Sequence, residues 1–364
     1  MKRFFKKYVP ITFFISLPLF LISHLLLLLA SENAGLADRL SGGIGSSLRE
    51  AFARITNPLP ISAAELFVIF LVFFLLSLVF VSVFAVKRWR VRVRILFHLV
   101  SFVFLMYSWY VIAFGISYHT EPIEKKMSIE AVTVDEESIY GFSRYLVGEL
   151  NAIAPELSLG DGGTKMGYDI RALSEKCVSA YDGFVSDYPI FNNFTSYAKP
   201  VMLSRLMAYG GIIGMYTYFS GEANISVVYP DYCIPFATLH ELAHQRGVAR
   251  EDEANFVAFA VSLYSDDPYI RYSGCLSAFE YAVSALNATN RERAEELYSM
   301  LDEAVISDMK VYSDFYKEHK NTHLLDISRF FNDTYLRLNG TEGVVSYSRA
   351  VRLFVSYYES LADI

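Results

Sequence analysis

Three long apolar stretches dominate the first third of the chain. They cover residues 9–30, 61–86 and 95–118, and almost every position in them is hydrophobic. A transmembrane helix needs about 20 such residues to cross the hydrocarbon core of a bilayer. We therefore predict three transmembrane helices, and we assign residues 1–120 to a membrane domain whose partner is the lipid bilayer.

Charged residues and turn residues return from about residue 121, where the pattern becomes that of a folded domain. From residue 235 to the end, apolar positions recur mainly at helical spacing. Two β-branched and aromatic runs flank Ser220 and Gly221, which predicts a hairpin within residues 215–229. The predicted fold class is mainly α, with a predominantly helical α+β domain over residues 121–364 that contains a small sheet or hairpin.

Basic residues predict the orientation of the three helices, because Lys and Arg are retained on the cytoplasmic side of a membrane. Residues 2–7 contain four of them and residues 87–94 contain five, whereas residues 31–60 mix acidic and basic side chains. The N-terminus is therefore expected inside and the folded domain outside the cytoplasm. A cleaved signal peptide is the alternative for the first stretch, although signal peptides have shorter apolar regions of about 7 to 15 residues.

The charge balance excludes one broad class of partner. The net charge is −7, and the positive charge is concentrated near the N-terminus. Binding to nucleic acid relies on a basic surface that neutralises phosphates. We therefore expect no nucleic-acid partner.

The segment with the clearest chemistry contains His240, Glu241 and His244 in the spacing HExxH. A helix can begin at Pro235 and end at Gly247, because Pro is favoured in a first turn and Gly just past a last one. The two histidines then project from one face and can bind one Zn²⁺, while the glutamate beside them stays free to take a proton. The pattern predicts hydrolysis of an amide, with Glu241 as the general base.

A second helix is predicted to begin near Arg250 and to offer a third zinc ligand. Glu251 and Asn255 share one of its faces, whereas Glu253 points about 200° away from Glu251. We favour Glu251 as the ligand, because Asn255 one turn later can hydrogen-bond the ligands and orient them. Glu253 stays open as the alternative.

Hydrolysis of an amide also needs a hydrogen-bond donor to the developing oxyanion. Tyr335, Tyr347 and Arg349 in the C-terminal part of the chain are candidates, with no preference among them. The predicted hairpin directly precedes the helix that carries HExxH. Its strand edge could bind an extended peptide by backbone pairing.

These motifs carry a resemblance to a class of enzymes. His240 to His244, followed by the glutamates at 251 and 253 and by Asn255, resembles the gluzincin metallopeptidases, in which HExxH supplies two ligands and a later helix supplies a glutamate. The resemblance implies a zincin-like domain, with Glu251 as the third ligand and Asn255 in support. The chain departs from the usual pattern in having Asn where many have Asp, and in the short connection between the two helices.

The whole chain is also similar to an uncharacterised bacterial family of membrane proteins. Members of this family have three transmembrane helices, the motifs HELAHQRG and EDEANF, and a late segment like residues 335–349. The similarity implies a multi-pass protein of the cytoplasmic (inner) membrane of a bacterium with Zn²⁺ as its cofactor. It implies no substrate.

These observations lead to one main hypothesis and one alternative. The main hypothesis is a membrane-anchored zinc metallopeptidase that hydrolyses peptide bonds of a peptide or protein at the outer face of the cytoplasmic membrane. The alternative is a zinc-stabilised membrane sensor or assembly factor without turnover, in which the metal is structural. Glu241 distinguishes the two, because a structural site needs no free carboxylate beside its ligands.

Overall fold

The computed structural model describes residues 8–130, 132–160, 163–320, 323–339 and 347–362. Within this part of the chain, three helices are long and apolar enough to cross a membrane: Ile11–Ser31, Ala63–Ala85 and Trp89–Ala113. The prediction of three apolar N-terminal helices is therefore confirmed. The predicted fold class is also confirmed, because the rest is mainly helical and has a small three-stranded sheet.

The helices and strands are numbered in chain order. The membrane helices and the segment between the first two of them are α1 (Ile11–Ser31), α2 (Ala34–Leu40), α3 (Ser46–Thr56), α4 (Ala63–Phe80) and α5 (Trp89–Ala113). The helices of the folded domain are α6 (Ile123–Lys126), α7 (Glu136–Ile153), α8 (Ile170–Asp187), α9 (Ser204–Tyr209), α10 (Cys233–Gln245), α11 (Glu251–Ser262), α12 (Pro268–Thr289), α13 (Arg291–Ser299), α14 (Glu303–His319), α15 (His323–Leu338) and α16 (Tyr347–Ala362). The strands are β1 (Leu159–Gly160), β2 (Gly163–Thr164), β3 (Lys199–Pro200), β4 (Gly214–Thr217) and β5 (Glu222–Ile225).

The third membrane helix differs at both ends from its predicted bounds of 95–118. It begins at Trp89, so several arginines lie in its first turns, from which their charged heads can reach water. It ends at Ala113, because Phe114 leaves the helical conformation with a φ of −147°, and Gly115–His119 forms a 3₁₀ turn. This turn is largely buried by the rest of the protein, which explains why the apolar pattern continues beyond the membrane helix.

The segment between α1 and α4 is helical, which its mixed polar composition did not indicate. A π-helical turn, Ser41–Gly45, joins α2 to α3 and packs against α5. The guanidinium of Arg49 on α3 is 2% exposed and donates to the carbonyl oxygens of Ala113 (2.9 Å) and Ser41 (3.0 Å). This buried side chain ties the connecting segment to the end of α5.

The core of the folded domain surrounds α10 and α11. α11 packs against α10, α12 and α16, and α12 packs along α7. The predicted hairpin is confirmed, since β4 pairs antiparallel with β5 and Gly221 in the turn has a φ of +70°, which glycine adopts without strain. β3 pairs in parallel with the other edge of β5 and was not predicted, because two residues are too few to show an alternating pattern. α10 packs on this sheet, which therefore lies beside the HExxH motif.

The hairpin joins the folded domain to the membrane helices. The carboxylate of Glu222 on β5 accepts hydrogen bonds from the backbone N–H groups of Ala63 (3.1 Å) and Ala64 (2.7 Å) at the start of α4. The indole of Trp109 on α5 donates to the carbonyl oxygen of Tyr218 in the hairpin turn (3.1 Å). The start of α4, the end of α5 and the folded domain therefore lie on the same side of the membrane part.

Candidate metal centre

The HExxH residues lie on α10, which an apolar stripe holds in the core. Phe236, Leu239 and Ala243 are 9%, 0% and 0% exposed. Gly247 follows the end of the helix with a φ of +99°, a left-handed conformation that lets the chain change direction after a helix. α11 then begins at Glu251 and packs against α10. The short connection therefore brings Glu251, at the start of α11, next to the HExxH motif on α10.

His240, His244 and Glu251 come together at this turn. Their ligand atoms all lie within 4.8 Å of one another. Nε2 of His240 is 3.2 Å from one carboxylate oxygen of Glu251, and Nε2 of His244 is 3.6 Å from the other. Two ligands of a tetrahedral zinc ion, each bound at about 2.0 to 2.1 Å, lie roughly 3.3 Å apart. The three side chains could therefore hold a single metal ion after small adjustments.

The ring of His244 is held by two contacts. Its Nδ1 lies 2.7 Å from the carbonyl oxygen of Val248. Because a carbonyl oxygen only accepts, Nδ1 carries the proton, and Nε2 of the neutral ring keeps the lone pair that a metal ion needs. Phe114, just beyond α5, packs edge-on against the same ring with the centroids 5.9 Å apart. The cluster therefore lies directly against the end of a membrane helix.

Glu241 lies beside the cluster as a buried carboxylate. It is 5% exposed, and its Oε2 has no hydrogen-bond partner in the part of the chain that the structure describes. A Cβ atom on Gly214 of β4 would lie 2.5 Å from Oε1 of Glu241, so the glycine leaves the space that the carboxylate occupies. Burial raises the pKa of Glu241, and the opposing effect of the two imidazoles does not cancel this. A raised pKa suits a carboxylate that must accept a proton and then release it.

The acidic residues change the proton affinity of the cluster. Burial by itself lowers the pKa of His244, but the carboxylates of Glu251 and Glu241 raise it to about 9. Burial acts to raise the pKa of Glu251, but the two imidazoles outweigh it and hold this pKa well below its usual value. These opposite shifts favour a proton on His244 and a negative charge on Glu251, whose side chains lie 3.6 Å apart as an ion pair.

The structure places the two candidates for the third ligand differently. Glu253 is 4% exposed, and its Oε1 accepts hydrogen bonds from the guanidinium of Arg250 and from the backbone N–H of Ile123 (3.1 Å). Of the two glutamates, Glu251 is the one that approaches the histidines. Asn255 is half-buried and has no hydrogen bond to either histidine among the described contacts, and its supporting role stays a prediction.

A group of tyrosines extends from the membrane helix to the cluster. The hydroxyl of Tyr335 on α15 lies 3.3 Å from that of Tyr110 on α5 and 3.2 Å from that of Tyr118. Burial and the negative charge of Glu251 both raise the pKa of Tyr118. Burial, Tyr118 and Glu251 raise the pKa of Tyr335 in the same way. Both phenols therefore stay protonated, within the electrostatic reach of Glu251.

The other two predicted oxyanion donors have different surroundings. Nε of Arg349 lies 2.9 Å from Oδ2 of Asp252 on α11, a carboxylate that is 4% exposed. Its charge therefore compensates a buried acid. α16 begins at Tyr347, but the side chain of this residue lies outside the described part of the structure. Tyr335 is thus the candidate that the structure places near the His-His-Glu cluster.

Three contributors to the site were not found from the sequence. Val248 contributes a backbone carbonyl and Gly214 contributes free space, and neither leaves a pattern in the sequence. Tyr118 has a weak signal, because it and Phe114 are aromatic residues close after a membrane helix. The predicted span of 95–118 included both of them, which hid their position in the folded domain.

The fold and the site together define a membrane-anchored, mainly helical protein with a His-His-Glu cluster at the end of its third membrane helix. Residues 41–355 match the family described as protein of unknown function, DUF3810. The match covers more than four fifths of the chain, and the protein therefore belongs to this family. No curated protein and no solved structure matches it. The similarity to an uncharacterised family is thus confirmed, and the likeness to gluzincins stays a prediction.

Proposed function

We propose that the protein is a membrane-anchored zinc peptidase. The observation that carries this proposal is the buried carboxylate of Glu241. One of its oxygens has no hydrogen-bond partner among the described residues and lies beside three side chains that can hold one ion. A metal with a purely structural role needs a closed set of ligands and no additional acid. Because a buried unpaired polar group destabilises the fold, its presence here supports a role in chemistry.

His240, His244 and Glu251 are the residues that would hold the ion, and Zn²⁺ at this position supplies a Lewis acid that lowers the pKa of water to about 7. Glu241 takes the proton of the attacking water at its free Oε2 and returns it to the leaving nitrogen.

The tyrosine group supports one of the predicted oxyanion donors. The hydroxyl of Tyr335 accepts a hydrogen bond from that of Tyr118 (3.2 Å), so its own proton can be donated to another acceptor. We propose that Tyr335 donates this proton as a hydrogen bond to the oxygen on which negative charge develops.

The free edge of β4 supports a peptide or protein as the substrate. β5 pairs with one side of β4, and no described strand pairs with the other side. Met215 on β4 is 46% exposed, and Gly214 next to it lies against Glu241. An extended peptide that pairs with this edge would place its backbone beside the general base. The basic residues at 2–7 and 87–94 support a position of this edge at the outer face of the cytoplasmic membrane.

The test compares the wild type with Glu241→Gln, which keeps the shape of the side chain and removes its basic oxygen. Both proteins are purified in detergent, zinc is measured by mass spectrometry, and hydrolysis is followed with a fluorogenic peptide library. We expect one zinc per chain in both proteins and a hydrolysis rate that falls by about 10²-fold or more in the variant.

Two further variants make the result specific. Glu251→Gln should bind zinc more weakly and lose activity, whereas Glu292→Gln on the exposed side of α13 should change neither. Equal hydrolysis by the wild type and Glu241→Gln would contradict the proposed role of this carboxylate.

A second candidate function is favoured by the contact between Phe114 and His244. In a zinc-stabilised membrane sensor or assembly factor, a metal at this place would fix the folded domain on the end of α5. That function predicts bound zinc without hydrolysis by the wild type. It also predicts that removal of zinc lowers the melting temperature of the wild type and of Glu241→Gln by the same amount.

A further inference from the structure

α15 carries a row of large apolar side chains that stay exposed to solvent. They are Leu324 (43%), Ile327 (51%), Phe330 (68%), Phe331 (65%) and Leu338 (82%). At about 100° per residue these positions fall within one sector of about 120° on the helix. An exposed apolar face of this size on a soluble surface marks a site of contact with another apolar phase or molecule.

The other faces of α15 are those of an ordinary surface helix. Leu325 and Leu336 are 5% and 4% exposed, so they lie on the buried face of the helix. Asp326, Arg329 and Arg337 are exposed polar residues. The exposed apolar face is therefore additional to the face by which α15 packs on its own protein.

The C-terminal end of α15 is fixed to the end of a membrane helix. The hydroxyl of Tyr110 lies near the end of α5; it donates to the side-chain oxygen of Asn339 (2.5 Å) and lies 3.3 Å from the hydroxyl of Tyr335. The N-terminal end packs close to Gly211, since a Cβ atom there would lie 2.7 Å from Cδ1 of Leu325. Gly211 follows shortly after α9, so the position of α9 decides where this end of α15 lies.

α9 is itself fixed to the start of a second membrane helix. The carboxylate of Glu65 in the first turn of α4 accepts hydrogen bonds from the backbone N–H groups of Met202 (2.8 Å) and Leu203 (2.7 Å). Met202, Leu203 and Leu206 are 56%, 46% and 52% exposed, and the neighbouring Leu66 on α4 is 44% exposed. The apolar surface of a membrane helix thus continues onto the segment around α9.

We propose that α15 and the segment around α9 lie in the bilayer leaflet on the side of the folded domain, with their exposed apolar side chains among the acyl chains. The two ends of α15 are anchored near the ends of α5 and α4, about 15 Å apart along the helix between Leu325 and Tyr335. The helix therefore lies along the membrane surface, the arrangement of interfacial amphipathic helices.

Two observations favour lipid over a protein as the occupant of this face. The exposed apolar side chains of Met202 and Leu203 lie next to the start of α4, where Leu66 is exposed as well. α15 is anchored directly on α5 and, through the segment around α9, on α4. The inference does not depend on the proposed peptidase activity. It has a consequence for the site, because Tyr335 on the embedded helix is the residue that reaches toward the metal ligands.

The experiment places a fluorescent probe on each face of α15 in the full chain. The natural cysteines Cys177, Cys233 and Cys275 are 0%, 7% and 0% exposed, so an added surface cysteine can be labelled selectively. Phe331→Cys on the apolar face and Asp326→Cys on the polar face are labelled with a polarity-sensitive fluorophore and reconstituted in phosphatidylcholine nanodiscs. Wild type treated in the same way is the control for labelling of the natural cysteines.

Two quenchers then report the surroundings of each probe: a phospholipid with a nitroxide high on its acyl chain, and aqueous iodide. We expect the nitroxide lipid to quench the Phe331→Cys probe about twofold more strongly than the Asp326→Cys probe, or more. Iodide should quench the Asp326→Cys probe more strongly. Leu338→Cys should behave like Phe331→Cys and replaces it if that variant does not fold. Equal access of iodide to both faces would overturn the proposal. Protection of the Phe331→Cys probe from both quenchers would also overturn it, because a protein surface would then cover the face.

Discussion

Zinc binding by the cluster should depend on pH in a way that follows from its own charges. Burial lowers the pKa of His244, but the carboxylates of Glu251 and Glu241 raise it to about 9 in the metal-free protein. Zinc binds the neutral imidazole, so binding must displace this proton. The perturbation that tests the idea is therefore a change of pH across the range below this pKa.

The magnitude follows from the distance between the pKa and the working pH. At pH 7, about two pH units below the pKa of His244, displacing this proton costs about 3 kcal/mol, since each pH unit corresponds to about 1.4 kcal/mol. Because the pKa is raised, the proton is bound below pH 9 and absent above it. The zinc affinity should therefore rise about tenfold per pH unit between about pH 6.5 and 8.5 and then level off.

Calorimetry of zinc binding in two buffers of different ionisation enthalpy measures the protons released. We expect about one proton per zinc at pH 7. Competition with a chromophoric chelator measures the affinity across the pH range. In Glu251→Gln the affinity should be weaker and should level off at lower pH, because the charge that raises the pKa of His244 is removed. Affinity that is independent of pH, with no proton released, would refute the reasoning.

Gly214→Ala should abolish hydrolysis and retain zinc, because the new Cβ atom would lie 2.5 Å from Oε1 of Glu241; Gly148→Ala, whose Cβ meets open space, is the control. Wild-type hydrolysis by Gly214→Ala would show that the carboxylate does not need this space. Arg250→Ala should lower the free energy of unfolding by about 3 kcal/mol, because it leaves the buried carboxylate of Glu253 without its positively charged partner. Arg291→Ala breaks an ion pair whose Arg is 81% exposed and should cost less than about 1 kcal/mol. Similar melting temperatures for the last two variants in detergent would contradict this difference.

The parts of the fold that could be predicted from the sequence have a local physical pattern. Three apolar stretches are long enough to cross a bilayer, and two β-rich runs around Ser220 and Gly221 form the hairpin. Helical geometry alone places His240 and His244 on one face. It also places Glu251 and Glu253 on different faces. In the structure, Glu251 approaches the two histidines and Glu253 pairs with Arg250.

The remaining parts depend on tertiary contacts, which leave no local pattern. Residues 31–60 fold into two helices whose stability comes from packing and from the buried Arg49, so their polar composition resembled a loop. The hydrogen bond from His244 ends on the carbonyl of Val248, which any residue could supply. Tyr118 approaches Tyr335 from more than 200 residues away in sequence, and such a contact cannot be inferred from spacing.

The X-ray absorption spectrum of zinc in the purified protein is the most direct test of the metal centre. If His240, His244 and Glu251 hold the ion, the spectrum should show two imidazoles and one carboxylate oxygen at about 2.0 to 2.1 Å from one zinc per chain. In His240→Ala the imidazole scattering should fall by half or the zinc should be lost. A protein that neither contains zinc nor takes it up, or a spectrum without imidazole scattering, would contradict the assignment of this cluster as a zinc site.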